Sequence, residues 1–294
     1  MRRLFLTGLL LFGLVAAATL ARQARAESLT SPVKVGLSAT LFPGLPERIL
    51  RAAAAPFKTL LEGQTGVKGQ IVAGGQPMTL AGKVNAGSVQ LGVFQGIEFA
   101  RARHKYPTLQ PLVMCSKGQS QLQVYLIVLT STKAAALDDL AGKALAMPGD
   151  SKEHSNLFLA HRCAPAGKTP EKHYSKVMKV ADAEDALDAL IDGDVAAAVI
   201  DNVAWELYKQ HKPGCAKSMK VLVKSEIFPC AVIAYKPGTL DKSQVASFRA
   251  GLIAAKKSAK GKEMLRFLGL TGFEEVPATY ERLFTDINKA YPAK

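Results

Sequence analysis

The densest chemistry in the sequence lies at residues 148–156, Pro-Gly-Asp-Ser-Lys-Glu-His-Ser-Asn. Two hydroxyls, a lysine, a histidine and two carboxylates stand there, where a loop runs into a helical pattern beginning near Glu153. The first turn of a helix has backbone N–H groups without helical partners and the positive end of the helix dipole. Both suit a phosphate or carboxylate. Ser151, His154 and Ser155 are therefore candidate ligand-binding residues, with Lys152 adding charge. Asp150 or Ser151 would serve equally as a helix cap, with Glu153 completing a capping box. Both uses stay open.

Further candidates follow the ends of expected strands, because ligands of open α/β sheets sit beyond the carboxyl ends of strands. Ser38 and Thr40 follow a strand at 33–37, with Phe42 as an apolar wall. Gln76 follows Gly74-Gly75, Gln95 follows a strand at 90–94, and Asp201 ends a buried strand at 195–200. Tyr125, on a long strand at 121–130, would line the crossing between two halves of the chain. Each has an ordinary alternative: turn residue, N-cap or core tyrosine. The single tryptophan, Trp205, reads as core.

Catalytic signatures are absent. The sequence has no G-x-S-x-G elbow, no H-E-x-x-H and no P-loop. Its five histidines are dispersed. His154, His161 and Cys163 share one helix, but Cys163 is better placed as a disulfide partner. The expectation is a protein with no enzymatic activity, no cofactor and no metal.

The amino terminus carries Arg2 and Arg3, an apolar run over 4–20, and Ala24-Arg25-Ala26, the pattern of a cleaved secretory signal peptide at residues 1–26. The run is short and glycine-containing for a spanning helix, and no cysteine stands near the cleavage point for lipid attachment. Export makes the periplasm the expected location. The formal net charge is +14, from 38 basic and 24 acidic residues; the first 26 residues hold four arginines and no acid, so export leaves +10. The lysines are scattered without interleaved aromatics, which argues against nucleic acid.

Strand and helix patterns alternate through the chain and then repeat, predicting sheets covered by helices on both faces. A helix is expected over 47–61, kinked at Pro56. The strand at 121–130 leaves the first α/β unit, and a strand at 229–235 returns to it. The last 60 residues read as helices without a strand of their own. The expected division is 27–128 with 232–294 as lobe 1 and 129–231 as lobe 2, joined by a two-strand hinge. Small ligands of such proteins bind between the lobes. Four cysteines in an oxidising compartment allow three pairings. Cys163–Cys215, both within lobe 2, is favoured, and Cys115–Cys230 would staple the hinge.

Four segments carry a family resemblance: the strand at 33–37 with its proline-bearing loop, residues 137–146 opening the second lobe, residues 183–198, and Lys262 to Leu265 in a late helix. Their order and spacing resemble the phosphate/phosphite/phosphonate-binding subunits of ABC transporters, the phosphonate-binding-protein-like group. That resemblance implies an α/β fold of the type 2 periplasmic binding protein class, two-lobed, with mixed sheets flanked by helices. It implies capture of a small ligand, an oxyanion such as phosphate or phosphonate, for an ABC permease in the inner membrane, by a monomer. It also implies a cleft-facing acid at Asp201. The alternative use of the same fold is a sensing or partner-interaction module signalling to a membrane protein. Phosphonate binders of this group usually carry a Ser-Thr-Ser-Gly-like anion loop; residues 150–156 keep Ser151 and Ser155 but lack the threonine and glycine.

The signal peptide makes a direct prediction: amino-terminal sequencing of the exported protein reads from Glu27, and Ala26→Lys leaves an uncleaved precursor.

Overall fold

The computed structural model describes residues 32–41, 66–118 and 121–292, with residues 46, 48, 49, 55, 58, 59, 62 and 63 between them. The expected signal peptide, Phe42 and most of the expected helix at 47–61 lie outside the described residues. Among the described residues no helix is long and apolar enough to cross a membrane.

The first unit is built on β1 (Val33–Ser38), β2 (Gly69–Gly75), β3 (Leu91–Phe94) and β4 (Gln110–Ser116), with helices α1 (Pro77–Asn85) and α2 (Gly96–Lys105) between them. The second unit holds β5 (Val124–Leu129), β6 (Ala144–Pro148), α3 (Glu153–Arg162), β7 (Lys176–Val180), α4 (Ala183–Ile191), β8 (Ala197–Asp201), α5 (Asn202–His211) and β9 (Met219–Lys224). The chain then returns through β10 (Val232–Tyr235), α6 (Lys242–Ala254), α7 (Ala259–Phe267), β11 (Gly272–Glu274) and α8 (Tyr280–Ala290).

Two sheets result, ordered β11-β4-β10-β3-β1-β2 and β7-β6-β8-β5-β9. Both are mixed. β1 runs parallel to β2 and β3, and β6 parallel to β7 and β8. The strands that follow each crossing, β5 and β10, run antiparallel to their neighbours. β5 pairs only within the second sheet and β10 only within the first. The first changeover therefore comes ahead of Val124, not at the expected 128/129 boundary. A second correction concerns the carboxyl-terminal segment. It contributes β11, which pairs antiparallel with β4 and extends the first sheet. Three residues are too few for periodicity to reveal a strand.

Period-2 alternation builds the second core. Leu145 and Met147 face one side of β6 with Phe158 and Leu159 of α3, while Ala146 faces the other with Leu187, Leu190 and Trp205. Asp182 caps α4 by accepting from Asp185 N–H at 3.0 Å. In the first unit, α2 begins at a glycine by necessity. A Cβ at Gly96 would lie 1.9 Å from the Pro229 carbonyl oxygen, so only glycine lets the helix start against the returning crossing.

The same alternation overturns both expected disulfides. No cysteine is disulfide-bonded. Cys163 packs on one face of the second sheet and Cys215 against the other. Cys115 N–H donates to the Ala231 carbonyl at 2.7 Å, which makes Ala231 its neighbour across the ladder. Cys230, one residue along, packs on the opposite face of the first sheet from Cys115. Bridging either pair would require backbone movement. Burial pushes the Cys115 thiol up to about 12 and the Cys163 thiol well above its usual value. Denatured protein, without reductant, should thus titrate four thiols per chain with a thiol reagent. In the native protein the half-buried Cys215 should react first, with Cys115 and Cys163 reacting only on unfolding.

Candidate functional site

A cavity of about 490 Å³ lies between the two units. The first unit contributes Leu37 and Val93 near the carboxyl ends of β1 and β3, the start of α2 at Gln95 to Ile97, and Lys117 just past β4. The second unit contributes Asp150, Lys152 and His154 around the start of α3, and Asp201 with Val203 around the start of α5. Both crossings line it, through Gln121 and Leu122 on one side and Pro229 to Ala231 on the other.

The units touch across this cleft. Lys152 Nζ donates to the Leu41 carbonyl at 3.3 Å, and Arg101 of α2 pairs with Glu153 of α3 at 2.9 Å. Glu153, which would oppose an anionic ligand if it faced the cleft, is thus engaged by an arginine.

Of the expected site residues, Gln95, His154 and Asp201 line the cavity. Gln95 is 7% exposed and donates from Nε2 to the Thr40 carbonyl at 2.9 Å. That bond sets the amide orientation and leaves Oε1 buried without a partner. His154, also 7% exposed, stacks at a tilt on Phe228 with ring centroids 5.7 Å apart, and its Nε2 is buried without a partner. Asp201 caps α5, accepting from Ala204 N–H at 2.8 Å.

The remaining expected residues do not line this cavity. Ser38 and Thr40 share a hydrogen bond at 2.8 Å, and Thr40 donates onward to Glu98, so their hydroxyls are held inside the first unit. Ser151 turns its hydroxyl back to the Pro148 carbonyl at 2.6 Å. Ser155 is buried one residue beyond His154. Gln76 is exposed at the start of α1. Tyr125 packs against the outer core of the second sheet with Lys224 Nζ 5.6 Å from its ring. The cap of α3 is Lys152, without a side-chain hydrogen bond, rather than Asp150 or Ser151.

Lys117 was not singled out from the sequence. It follows the carboxyl end of β4, which runs parallel to β1 and β3 because β10 is antiparallel to both of its neighbours. The strand-end rule that selects Gln95 selects Lys117 too, once that direction is known.

The electrostatics are dominated by burial. Burial lowers His154 from its ordinary 6.5 to about 4; the Asp201 carboxylate opposes the shift, and Lys117 and Lys152 add to it. The ring is therefore neutral near pH 7, and Nε2 can donate or accept according to tautomer. Burial also lowers Lys152, against the pull of Asp150 and Glu98. Glu98 is raised by burial, despite hydrogen bonds from Thr40, the Gln95 N–H and Ser38. Lys117, Lys152, Asp150 and Asp201 all line the cavity, together with Gln95 and His154, each of which holds a buried polar atom without a partner.

The comparisons with known proteins agree with this geometry. No curated protein matches the chain. Many solved structures match the chain, among them these three. One is a Xanthomonas citri protein bound to ATP, at 16% identity and TM-score 0.61, covering 89% of this chain and 97% of that one. Another is a binding-protein component of an ABC phosphonate transporter from Pseudomonas aeruginosa, at 15% identity and TM-score 0.55, covering 89% and 85%. The third is PhnD1 from Prochlorococcus marinus in complex with methylphosphonate, at 13% identity and TM-score 0.58, covering 88% and 96%. These likenesses establish the two-lobed periplasmic binding protein architecture that the sequence resemblance implied. The family model for the ABC transporter phosphonate periplasmic substrate-binding protein matches residues 39–280. The chain belongs to that family of periplasmic substrate-binding proteins, which serve transporters rather than catalyse reactions.

Proposed function

We propose that this protein captures a phosphonate-type oxyanion in the cleft between its lobes and delivers it to the ABC permease of its transporter. The carrying observation is that Gln95 and His154 line one cavity from opposite lobes, and that each holds a buried polar atom, Oε1 and Nε2, without a partner. Buried polar atoms without partners are costly, and a ligand bridging them would favour the closed arrangement. A singly protonated oxyanion fits the pair. Its P–OH donates to Gln95 Oε1, and its other oxygens accept from His154 Nε2–H and from Lys152 and Lys117. The start of α3 adds the positive end of a ten-residue helix.

Titration calorimetry against phosphonates, with solution scattering to follow closure, tests this reading. Binding should be accompanied by compaction, and Lys152→Ala should weaken it about tenfold or more, the usual cost of a lost charge-assisted hydrogen bond. If neither heat nor compaction accompanies any oxyanion, the reading fails.

The histidine adds a pH dependence. Its folded value is depressed, so the closed form binds fewer protons than an open or unfolded form in which His154 is hydrated. The closed form is therefore fully favoured above pH 6.5 and loses this stabilisation as pH falls toward about 4. Unfolding stability of the ligand-free protein, measured from pH 7.5 to 4.5, should drop through that window. His154→Gln should flatten the part of the drop centred between the two values, while the carboxylates contribute equally in both proteins.

A further inference from the structure

The lining is divided between the lobes. The second lobe offers Asp150, Lys152, His154 and Asp201; the first adds Gln95 and Lys117 to a sheet face whose described lining residues are otherwise apolar. The ladder registers make that face continuous. Leu37 of β1 is opposite Val93 of β3, and Val93 is opposite Ile233 of β10. Further along the same face, Cys115 of β4 is opposite Phe273 of β11. Leu268 and Leu270, between α7 and β11, line the cavity beside this row.

A bare oxyanion answers only the polar end of such a site. At about 490 Å³ the cavity falls in the range of pockets that enclose drug-sized ligands, and water filling its apolar end would lack hydrogen-bonding partners. The two lysines are balanced by two carboxylates, which suits a head with one negative charge better than a dianion.

We infer that the cleft selects an amphipathic organic anion: a singly charged oxyanion head held by His154 and Gln95, carrying an apolar substituent of several carbons that lies along the Leu37–Val93–Ile233 row. This rests on the oxyanion-capture reading above and goes beyond it, because it sets the ligand's substituent. Inorganic phosphate and methylphosphonate carry no substituent long enough to reach the apolar row. An aminoalkyl substituent would place a charge on it.

A homologous series decides it: inorganic phosphate, then alkylphosphonates from methyl through hexyl, titrated calorimetrically into the full-length mature protein. Each buried methylene should tighten binding about fourfold, so hexylphosphonate, with five methylenes more than methylphosphonate, should exceed it by roughly three orders of magnitude when all five are buried. Leu270→Asn should weaken hexylphosphonate about tenfold and change methylphosphonate less than twofold. Urea unfolding checks that the variant is folded, and if it is not, the wild-type chain-length slope decides alone. Affinity that is flat or falls with chain length overturns the inference and leaves oxyanion capture standing. Failure of every member to bind, without compaction, overturns both.

Discussion

The two lobes are joined through residues 121–123 and 225–231, and those segments hold each other before they hold anything else. Leu122 and Phe228 form an isolated antiparallel bridge, with Phe228 N–H donating to the Leu122 carbonyl at 2.8 Å. Ser225 Oγ accepts from Val124 N–H at 2.9 Å, and Ser225 N–H returns to the Val124 carbonyl at 2.8 Å. Asn202 closes the set. Its side chain accepts from Gln123 N–H and donates to the Gln121 carbonyl, both at 3.0 Å. Connections between domains are ordinarily solvated and loose. Here the crossings are tied to one another by hydrogen bonds. The cavity lies against them, and Phe228, one half of the bridge, is the surface on which His154 packs.

The carboxyl-terminal helix reinforces the same place. Phe284 of α8 meets Phe99 of α2 edge-on at 5.3 Å, and the Tyr280 hydroxyl accepts from Cys230 N–H at 2.8 Å in the returning crossing. Tyr291, wholly buried, packs on Phe228 at 4.9 Å and on His161 of α3 at 5.6 Å. Arg162 of α3 reaches both the Ala290 carbonyl and Glu226. One element therefore touches the first lobe, the hinge and the second lobe. Its aromatic contacts are the packed, discrete kind that favour particular lobe arrangements over a continuum.

The site's electrostatics follow from burial. His154 and Lys152 are depressed mainly because the cleft removes water, and the lysines beside His154 add to it. Burying these groups without full hydrogen bonding carries a cost that a packed apolar core would not.

The reading of the chain as two α/β units, and of Gln95, His154 and Asp201 as strand-end or helix-start residues, needed only local information. Strand alternation, helix periodicity and turn residues are written within a few positions of one another. The order of strands in each sheet, and hence the direction of β4 that brings Lys117 to the cleft, depends on pairings across more than a hundred residues. The cysteines show the same limit: their spacing permitted bridges, and only the sheet faces on which they lie forbade them. The hydroxyls of Ser38, Thr40 and Ser151 were legible as hydrogen-bonding groups, yet their partners, Glu98 and the Pro148 carbonyl, emerge only when the chain is folded. Sequence by itself determined which elements form and which polar groups stand at their ends. The tertiary structure decided which of those groups are already satisfied by the protein and which are left buried without a partner, because a hydrogen bond between distant residues exists only once packing has brought them within 3 Å or so of each other.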